Sequence, residues 1–103
     1  MQTVISIIEI LGTIHDGTLE VCASADAEYD PPEETVSVAL AAFTRRSSTT
    51  GPGEHLPQPW LPGGERVTER LPHEDAGTFA KEVFRGWVKK VRASVPNELM
   101  LRT

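Results

Sequence analysis

The beginning of the chain contains an apolar run whose spacing predicts a β-strand. Residues 3–11 read TVISIIEIL, and crowding of the β-branched side chains favours an extended chain over a helix. Both faces of this strand are apolar, with Ile5, Ile7 and Leu11 on one face and Val4, Ile8 and Ile10 on the other. Strands that are apolar on both faces are normally central and covered on both sides.

A hairpin turn and a second strand are predicted next. Asp16-Gly17 is a strong turn signal, because a type I′ turn needs a positive φ at both central residues. The second strand is predicted over residues 18–24, with Leu19 and Val21 facing inward. We expect residues 25–34 to form an acidic turn that contains Pro31-Pro32.

A third strand is predicted over residues 35–44, where apolar residues occupy both faces. The inward face consists of Val36, Val38, Leu40 and Ala42. The opposite face is small or apolar rather than charged, and it consists of Ala39, Ala41 and Phe43.

The last part of the chain predicts a short fourth strand at residues 65–71 and a long helix at residues 72–94. Apolar residues in the helix recur at i, i+3, i+4 and i+7, and they are Ala76, Phe79, Ala80, Val83, Phe84, Trp87, Val88 and Val91. Pro72 suits the first helical turn, and Pro96 marks the end. Gly86 either allows close approach to the sheet or is tolerated at a cost of about 1 kcal/mol.

These elements predict a single α+β domain over residues 1–103, in the order β-β-β-loop-β-α. The small antiparallel sheet has about four strands, and the C-terminal amphipathic helix covers one of its faces. Residues 45–64 are rich in Pro, Gly, Ser and Thr and lack a period, so we expect a flexible loop there. One helix cannot cover two faces, and the uncovered face should therefore expose Ala39, Ala41 and Phe43 as a contact surface.

Charge divides the chain into two parts. The first 44 residues contain eight acidic residues and no lysine or arginine, whereas the remainder contains ten basic and seven acidic residues. The net charge of −5 argues against nucleic acid as the main partner, and such a dipolar surface favours a protein of complementary charge or a second copy. The early apolar run is too short to span a membrane and has no basic residue before it, so we expect a cytoplasmic location.

Candidate chemical groups are few. Cys22 is the only cysteine, which excludes an internal disulfide, and a single thiol on a strand is more typical of a small buried side chain than of a nucleophile. Asp26, Glu28 and Asp30 alternate in the acidic segment, but their spacing does not fit a calcium-binding loop. We therefore predict no catalytic residues, no metal site and no cofactor.

Two segments have the composition of contact surfaces. Basic residues align on one face of the predicted helix, at Lys81, Arg85, Lys89 and Arg92. This stripe is either a solvated helix face or a docking surface for an acidic protein or a phosphate backbone. The LPQPWLP segment has an extended, proline-stiffened path with apolar anchors at Leu56, Trp60 and Leu61, although Trp60 can instead fold back onto the sheet.

The sequence therefore predicts a non-enzymatic protein-interaction module or small accessory subunit. We expect it to self-associate through the open apolar sheet face or a strand edge. One alternative is a small metal- or thiol-dependent enzyme or ligand binder that uses the acidic turn or Cys22. A third hypothesis is a nucleic-acid-linked regulator that uses the basic helix face.

Overall fold

The computed structural model describes residues 1–14, 17–46, 58–60 and 64–94, and only the backbone of Gln58 and Pro59. Its elements are, in chain order, β1 (Gln2–Ile14), β2 (Leu19–Asp30), β3 (Thr35–Arg46), β4 (Gln58–Pro59), β5 (Glu65–Arg70) and α1 (His73–Ala93). This order confirms the predicted α+β fold, with one long helix packed on one face of an antiparallel sheet. Of the predicted 45–64 loop, Arg45 and Arg46 belong to β3, while residues 47–57 and 61–63 lie outside the described residues.

The sheet is open and four strands wide. β1 pairs with β2, β2 pairs with β3, and the far edge of β3 pairs with both β5 and β4. The β2–β3 register runs without interruption from Leu19↔Arg46 to Asp30↔Thr35. These two strands therefore form the continuous centre of the sheet. β1, whose two apolar faces predicted a central position, forms one of its edges instead.

The turn before β2 contains the predicted glycine. Gly17 has a φ of 87°, a left-handed conformation that glycine adopts without a steric penalty. Its N–H donates to the Ile14 carbonyl at 3.2 Å. Asp16, the other half of the predicted Asp-Gly turn, lies outside the described residues.

The prediction that the second strand ends at Ser24 is wrong, because β2 continues to Asp30. Ala25, Ala27 and Tyr29 point into the core, and the acidic residues between them point to the other side. This alternation is that of a half-buried strand, which explains why an acidic composition does not end it. The turn itself is confined to residues 31–34, and the Glu34 N–H donates to the Pro31 carbonyl at 3.2 Å.

Two irregularities in β1 change the predicted faces of that strand. The register with β2 shifts between Thr3 and Ile5 and again between Ile10 and Gly12. A β-bulge adds one residue and so reverses the alternation of side chains beyond it. As a result Val4 packs with the core. The alternation of side chains in the sequence predicts, wrongly, that it lies on the same face as Ile8 and Ile10.

Small side chains form the contact between α1 and the middle of the sheet. Ala23, Ala25 and Ala27 of β2 are fully buried, and so are Ala76 and Ala80 of α1. Alanine on both sides lets a helix lie close to the sheet, because no long side chain separates the backbones. Larger residues fill the space around this contact, and they are Val21, Tyr29, Val36, Val38, Leu40, Phe84, Trp87 and Val91.

Trp87 is the largest buried side chain of α1. It is 3% exposed, and its indole Nε1–H donates to the Ala41 carbonyl of β3 at 2.8 Å. Lys90 lies above the ring, with Nζ 5.7 Å from the ring centroid. The side chain thus fixes the position of the helix on the sheet by both packing and a directed hydrogen bond.

Tyr29 anchors the beginning of α1. Its hydroxyl donates to the Leu71 carbonyl at 2.9 Å, and its ring meets the His73 ring edge-on at 4.9 Å between centroids. Burial raises the pKa of Tyr29, and the nearby Glu34 and Asp30 carboxylates raise it further. The neutral phenol that donates this hydrogen bond is therefore the form that the fold favours.

We predict that Trp87→Ala destabilises the fold by about 3–5 kcal/mol, because it leaves a cavity and an unpaired carbonyl. Trp87→Phe keeps most of the packing and removes the indole donor, so its cost should be smaller, about 1–3 kcal/mol. Urea unfolding followed by circular dichroism measures both free energies. Unfolding free energies equal to that of the wild type would contradict the observed helix-on-sheet packing.

Two glycines give a matched pair of substitutions. A Cβ at Gly86 would meet no atom within 4 Å, so close approach to the sheet does not explain this glycine. A Cβ at Gly64, in contrast, would lie 2.3 Å from the Leu40 carbonyl oxygen. We predict that Gly86→Ala stabilises the protein by about 1 kcal/mol and that Gly64→Ala destabilises it. Thermal unfolding of the two variants should give midpoints on opposite sides of the wild-type midpoint, and shifts of the same sign would contradict the prediction.

Candidate interaction surfaces

The sheet has an open face, which we define as the side opposite α1. Its apolar end carries a group of side chains that we call the apolar patch: Ile8, Ile10, Cys22, Ala39, Ala41 and Phe43. Ile8 is 55% exposed and Ile10 is 48% exposed, while Ala39, Ala41 and Phe43 are half-buried. Ser24, a half-buried polar residue, lies between Ile8 and Ala41. Exposed apolar groups this close together are typical of an interface.

Cys22 lies at the centre of the apolar patch. The register places it between Ile10 on β1 and Phe43 on β3, and these neighbours leave it fully buried. Burial raises the pKa of the Cys22 thiol, an effect that nearby Arg45 opposes and Glu20 reinforces. A nucleophilic cysteine needs the opposite shift, so this thiol has the properties of a packing residue.

An ion pair borders the patch. Arg45 Nε donates to Glu20 Oε1 at 3.0 Å, and this bond raises the pKa of the Arg45 guanidinium. The Glu20 side chain is 14% exposed, so its charge is balanced by Arg45 rather than by water alone. The pair marks the boundary between the apolar patch and the end of the sheet near Gly17.

The other end of the open face is charged, with opposite signs on different strands. Asp26 and Glu28 are exposed on β2, while Arg66 and Arg70 are exposed on β5. β3 separates the two sets. Ser6 donates to Asp26 at 2.7 Å, and Arg66 donates to Ser37 at 2.8 Å, so hydrogen bonds hold both charges on this face.

A groove lies between α1 and the edge strand β1, with a volume of about 310 Å³, and we call it the basic groove. It is lined by Glu9, Phe84, Arg85, Val88, Lys89 and Arg92. The Arg92 guanidinium is 3.7 Å from the Glu9 carboxylate, which is a long ion pair. Three of the four predicted stripe residues thus meet here, and Lys81 is exposed on the same helix but does not line the groove.

Trp60 folds onto the domain. Its backbone N–H donates to the Ala42 carbonyl at 2.9 Å, and its indole Nε1–H donates to Ser94 Oγ at 3.0 Å. The ring is half-buried against the core on the helix side and near the end of α1. Leu56 and Leu61, the other predicted anchors of this segment, lie outside the described residues.

The acidic residues of β2 are spread along one strand. Asp26, Glu28 and Asp30 share the open face, where i, i+2 positions are about 6.6 Å apart. In the described part of the chain, no group of three or more His, Cys, Asp or Glu side chains is arranged to hold a metal ion. Within the same residues, α1 is not apolar enough over its length to cross a membrane.

Sequence reasoning found most of these residues but missed how they are grouped. The sequence places Ile8 and Ile10 on one face of β1 without indicating which face is uncovered. Only the register shows that Ile10 pairs with Cys22, which in turn pairs with Phe43. Glu9 was not identified as a site residue, because its place beside Arg92 depends on how α1 crosses the sheet. A single acidic residue inside an apolar strand was the signal that could have pointed to it.

Comparison of the chain with family models, curated proteins and solved structures finds no significant match in any of the three. No relative therefore suggests a function for this chain, and its own residues and their geometry are the basis for one.

We predict that native Cys22 reacts slowly with iodoacetamide at neutral pH and reacts rapidly once the protein is unfolded in urea. Burial raises the pKa of the Cys22 thiol in the folded protein. The contribution of the neutral thiol to the free energy of unfolding is therefore complete below its ordinary pKa of about 8.5. This contribution is lost as the pH rises through the pKa of the folded state. The urea midpoint should consequently fall more steeply for the wild type than for Cys22→Ala above about pH 8.5. Equal alkylation rates in the native and unfolded states would contradict the buried position.

Proposed function

We propose that this protein is a non-enzymatic interaction module that self-associates through the open face of its sheet. The observation that carries the proposal is the apolar patch, where Ile8 and Ile10 expose about half of their surface and β3 presents a half-buried row of Ala39, Ala41 and Phe43. α1 covers the opposite face, and none of the other described elements covers this one. A sheet normally buries the apolar side chains that it presents, here by contact with another surface.

The charged end of the open face supports a second copy as that surface. A two-fold axis running along β3, between two facing copies, places Asp26 of one copy opposite Arg66 of the other. The same operation places Asp30 opposite Arg70 and brings the two Phe43 side chains together. This arrangement therefore gives apolar contact along β3, at Ala39, Ala41 and Phe43, together with charge complementarity. Ile8 and Ile10 lie two strands from the axis, at the margin of the contact.

The strand edge is a less favourable surface for self-association. Antiparallel pairing of two β1 strands about a two-fold axis would put both helices on the same side of the joined sheet. Arg85, Lys89 and Arg92 of one copy would then lie near the same residues of the other. Like charges oppose this pairing, so we propose the open face rather than the edge.

The experiment is a measurement of molar mass by size-exclusion chromatography with light scattering, at low and high salt. We predict a mass of about twice the 11.3 kDa of the chain that persists in high salt, because apolar contact is not screened. Ala41→Lys, on the strand that faces itself across the axis, should give a monomer that keeps the wild-type circular dichroism spectrum. Thr78→Lys introduces the same charge on the exposed side of α1 and is the matched control, which should remain dimeric.

A charge exchange tests the orientation of the two copies. Asp26→Arg and Arg66→Asp should each weaken association, and the double variant should restore it, because the exchanged charges again face each other across the two copies. A wild-type protein that stays monomeric at high protein concentration contradicts the proposal. Dissociation by Thr78→Lys but not by Ala41→Lys also contradicts it.

A further inference from the structure

We infer that the free edge of β1 beside the basic groove binds an extended segment of a partner protein, in which acidic and apolar residues alternate. The segment adds to the sheet as a further strand, a common mode of peptide recognition. This inference does not depend on self-association through the open face. Its charged contacts lie on the opposite side of the sheet and its backbone contacts along the free edge of β1, and it meets the open face only beside Ile8 and Ile10.

The charges of the basic groove are largely uncompensated. Arg85 and Lys89 are exposed, and neither makes an ion pair with any side chain in the described ranges. Arg92 has only the long contact with Glu9. Lys90, in contrast, points to the other flank of α1 and pairs with Glu65 of β5. The groove side of the helix therefore carries an excess of positive charge, and an acidic ligand complements it.

The edge of β1 offers backbone hydrogen-bonding groups next to that charge. β1 pairs with β2 on one side, and on its other side it has no strand partner among the described residues. The strand is regular between its two bulges, over residues 5–10, and Glu9 lies within this part. Edge strands that expose such groups are templates for an added strand.

The geometry of a strand predicts the sequence of the segment. Alternate side chains of an added strand point to the helix side, where they meet Arg85, Lys89 and Arg92. The side chains between them point to the open face, where they adjoin Ile8 and Ile10. Acidic residues at one parity and apolar residues at the other therefore satisfy both surfaces.

The floor of the groove favours a peptide over a nucleic acid. Phe84 and Val88 are apolar, and Glu9 places a negative charge where a phosphate backbone would pass. A phosphate backbone is also opposed by the net charge of −5 of the whole chain. A peptide can use the apolar floor, and its acidic side chains, about 6.6 Å apart along the strand, can lie on either side of Glu9.

The test uses a fluorescently labelled synthetic peptide that alternates glutamate and valine, titrated with the full chain and followed by anisotropy. We expect saturable binding that weakens as salt rises. Lys89→Glu should reduce the affinity by about tenfold, because it replaces attraction with repulsion at the groove. Lys81→Glu makes the same charge change on the same helix outside the groove, and it should leave the affinity within about twofold.

Two modified peptides test addition at the edge. Methylation of the amide nitrogens at one parity removes the donors on one edge of the peptide, so only one of the two methylated peptides should lose binding. A peptide with glutamine in place of glutamate should bind much more weakly than the parent peptide. The molar mass of Lys89→Glu should equal that of the wild type, which separates this result from the test of self-association.

Several results would overturn the inference. Equal losses with Lys81→Glu and Lys89→Glu would mean that the peptide responds only to overall charge. Equal binding of both methylated peptides would exclude strand addition. Absence of peptide binding, together with tight binding of a single-stranded oligonucleotide that Lys89→Glu abolishes, would assign the groove to nucleic acid instead.

Discussion

The contact of α1 with a single face of the sheet is the constraint on which the other features depend. Both faces of β1 and β3 carry apolar side chains, but the described residues include a single helix. The alanines of β2 and α1 let the helix lie close to the middle of the sheet, and Trp87 fixes its position through the hydrogen bond to Ala41. The side chains on the other face are then left to form a surface of their own.

The same contact also creates the basic groove. The apolar stripe of α1 must face the sheet, and this sets the direction in which Arg85 and Lys89 project. They lie along the edge of β1, which is at the opposite side of the sheet from β5. β5 therefore supplies no acidic partner to them. Lys90 is next to Lys89 in sequence, but it lies on the flank near β5 and finds Glu65 there. Adjacent cations thus differ in their surroundings because of helical geometry alone.

The parts of the fold that depend on local periodicity could be predicted from the sequence. The limits of α1 differ from the predicted limits by one residue at each end, and the inward residues of β3 are the predicted ones. The end of β2 was predicted wrongly because acidic composition was given more weight than the alternation of Ala25, Ala27 and Tyr29. The position of Val4 was also wrong, because a bulge leaves no clear sign in a uniformly apolar strand.

The candidate surfaces were less predictable, because they depend on contacts between distant parts of the chain. The sequence indicated an uncovered apolar face, but the neighbours of Cys22 follow from the pairing of three strands. The basic groove needs both the strand order, which puts β1 at an edge, and the crossing of α1 over that edge. Neither of these is encoded in a local pattern.

The bulges of β1 have a consequence for the behaviour of the protein at high concentration. β1 is long and mostly apolar, and Glu9 is its single charged residue. Such a strand at the edge of a sheet can seed ordered aggregates when copies stack edge to edge. The two bulges restrict the regular edge to residues 5–10, and each adds a local twist that a stacked copy would have to match. Backbone irregularity is a known means of limiting such stacking, and we expect it to act here in a strand whose one charged side chain is Glu9.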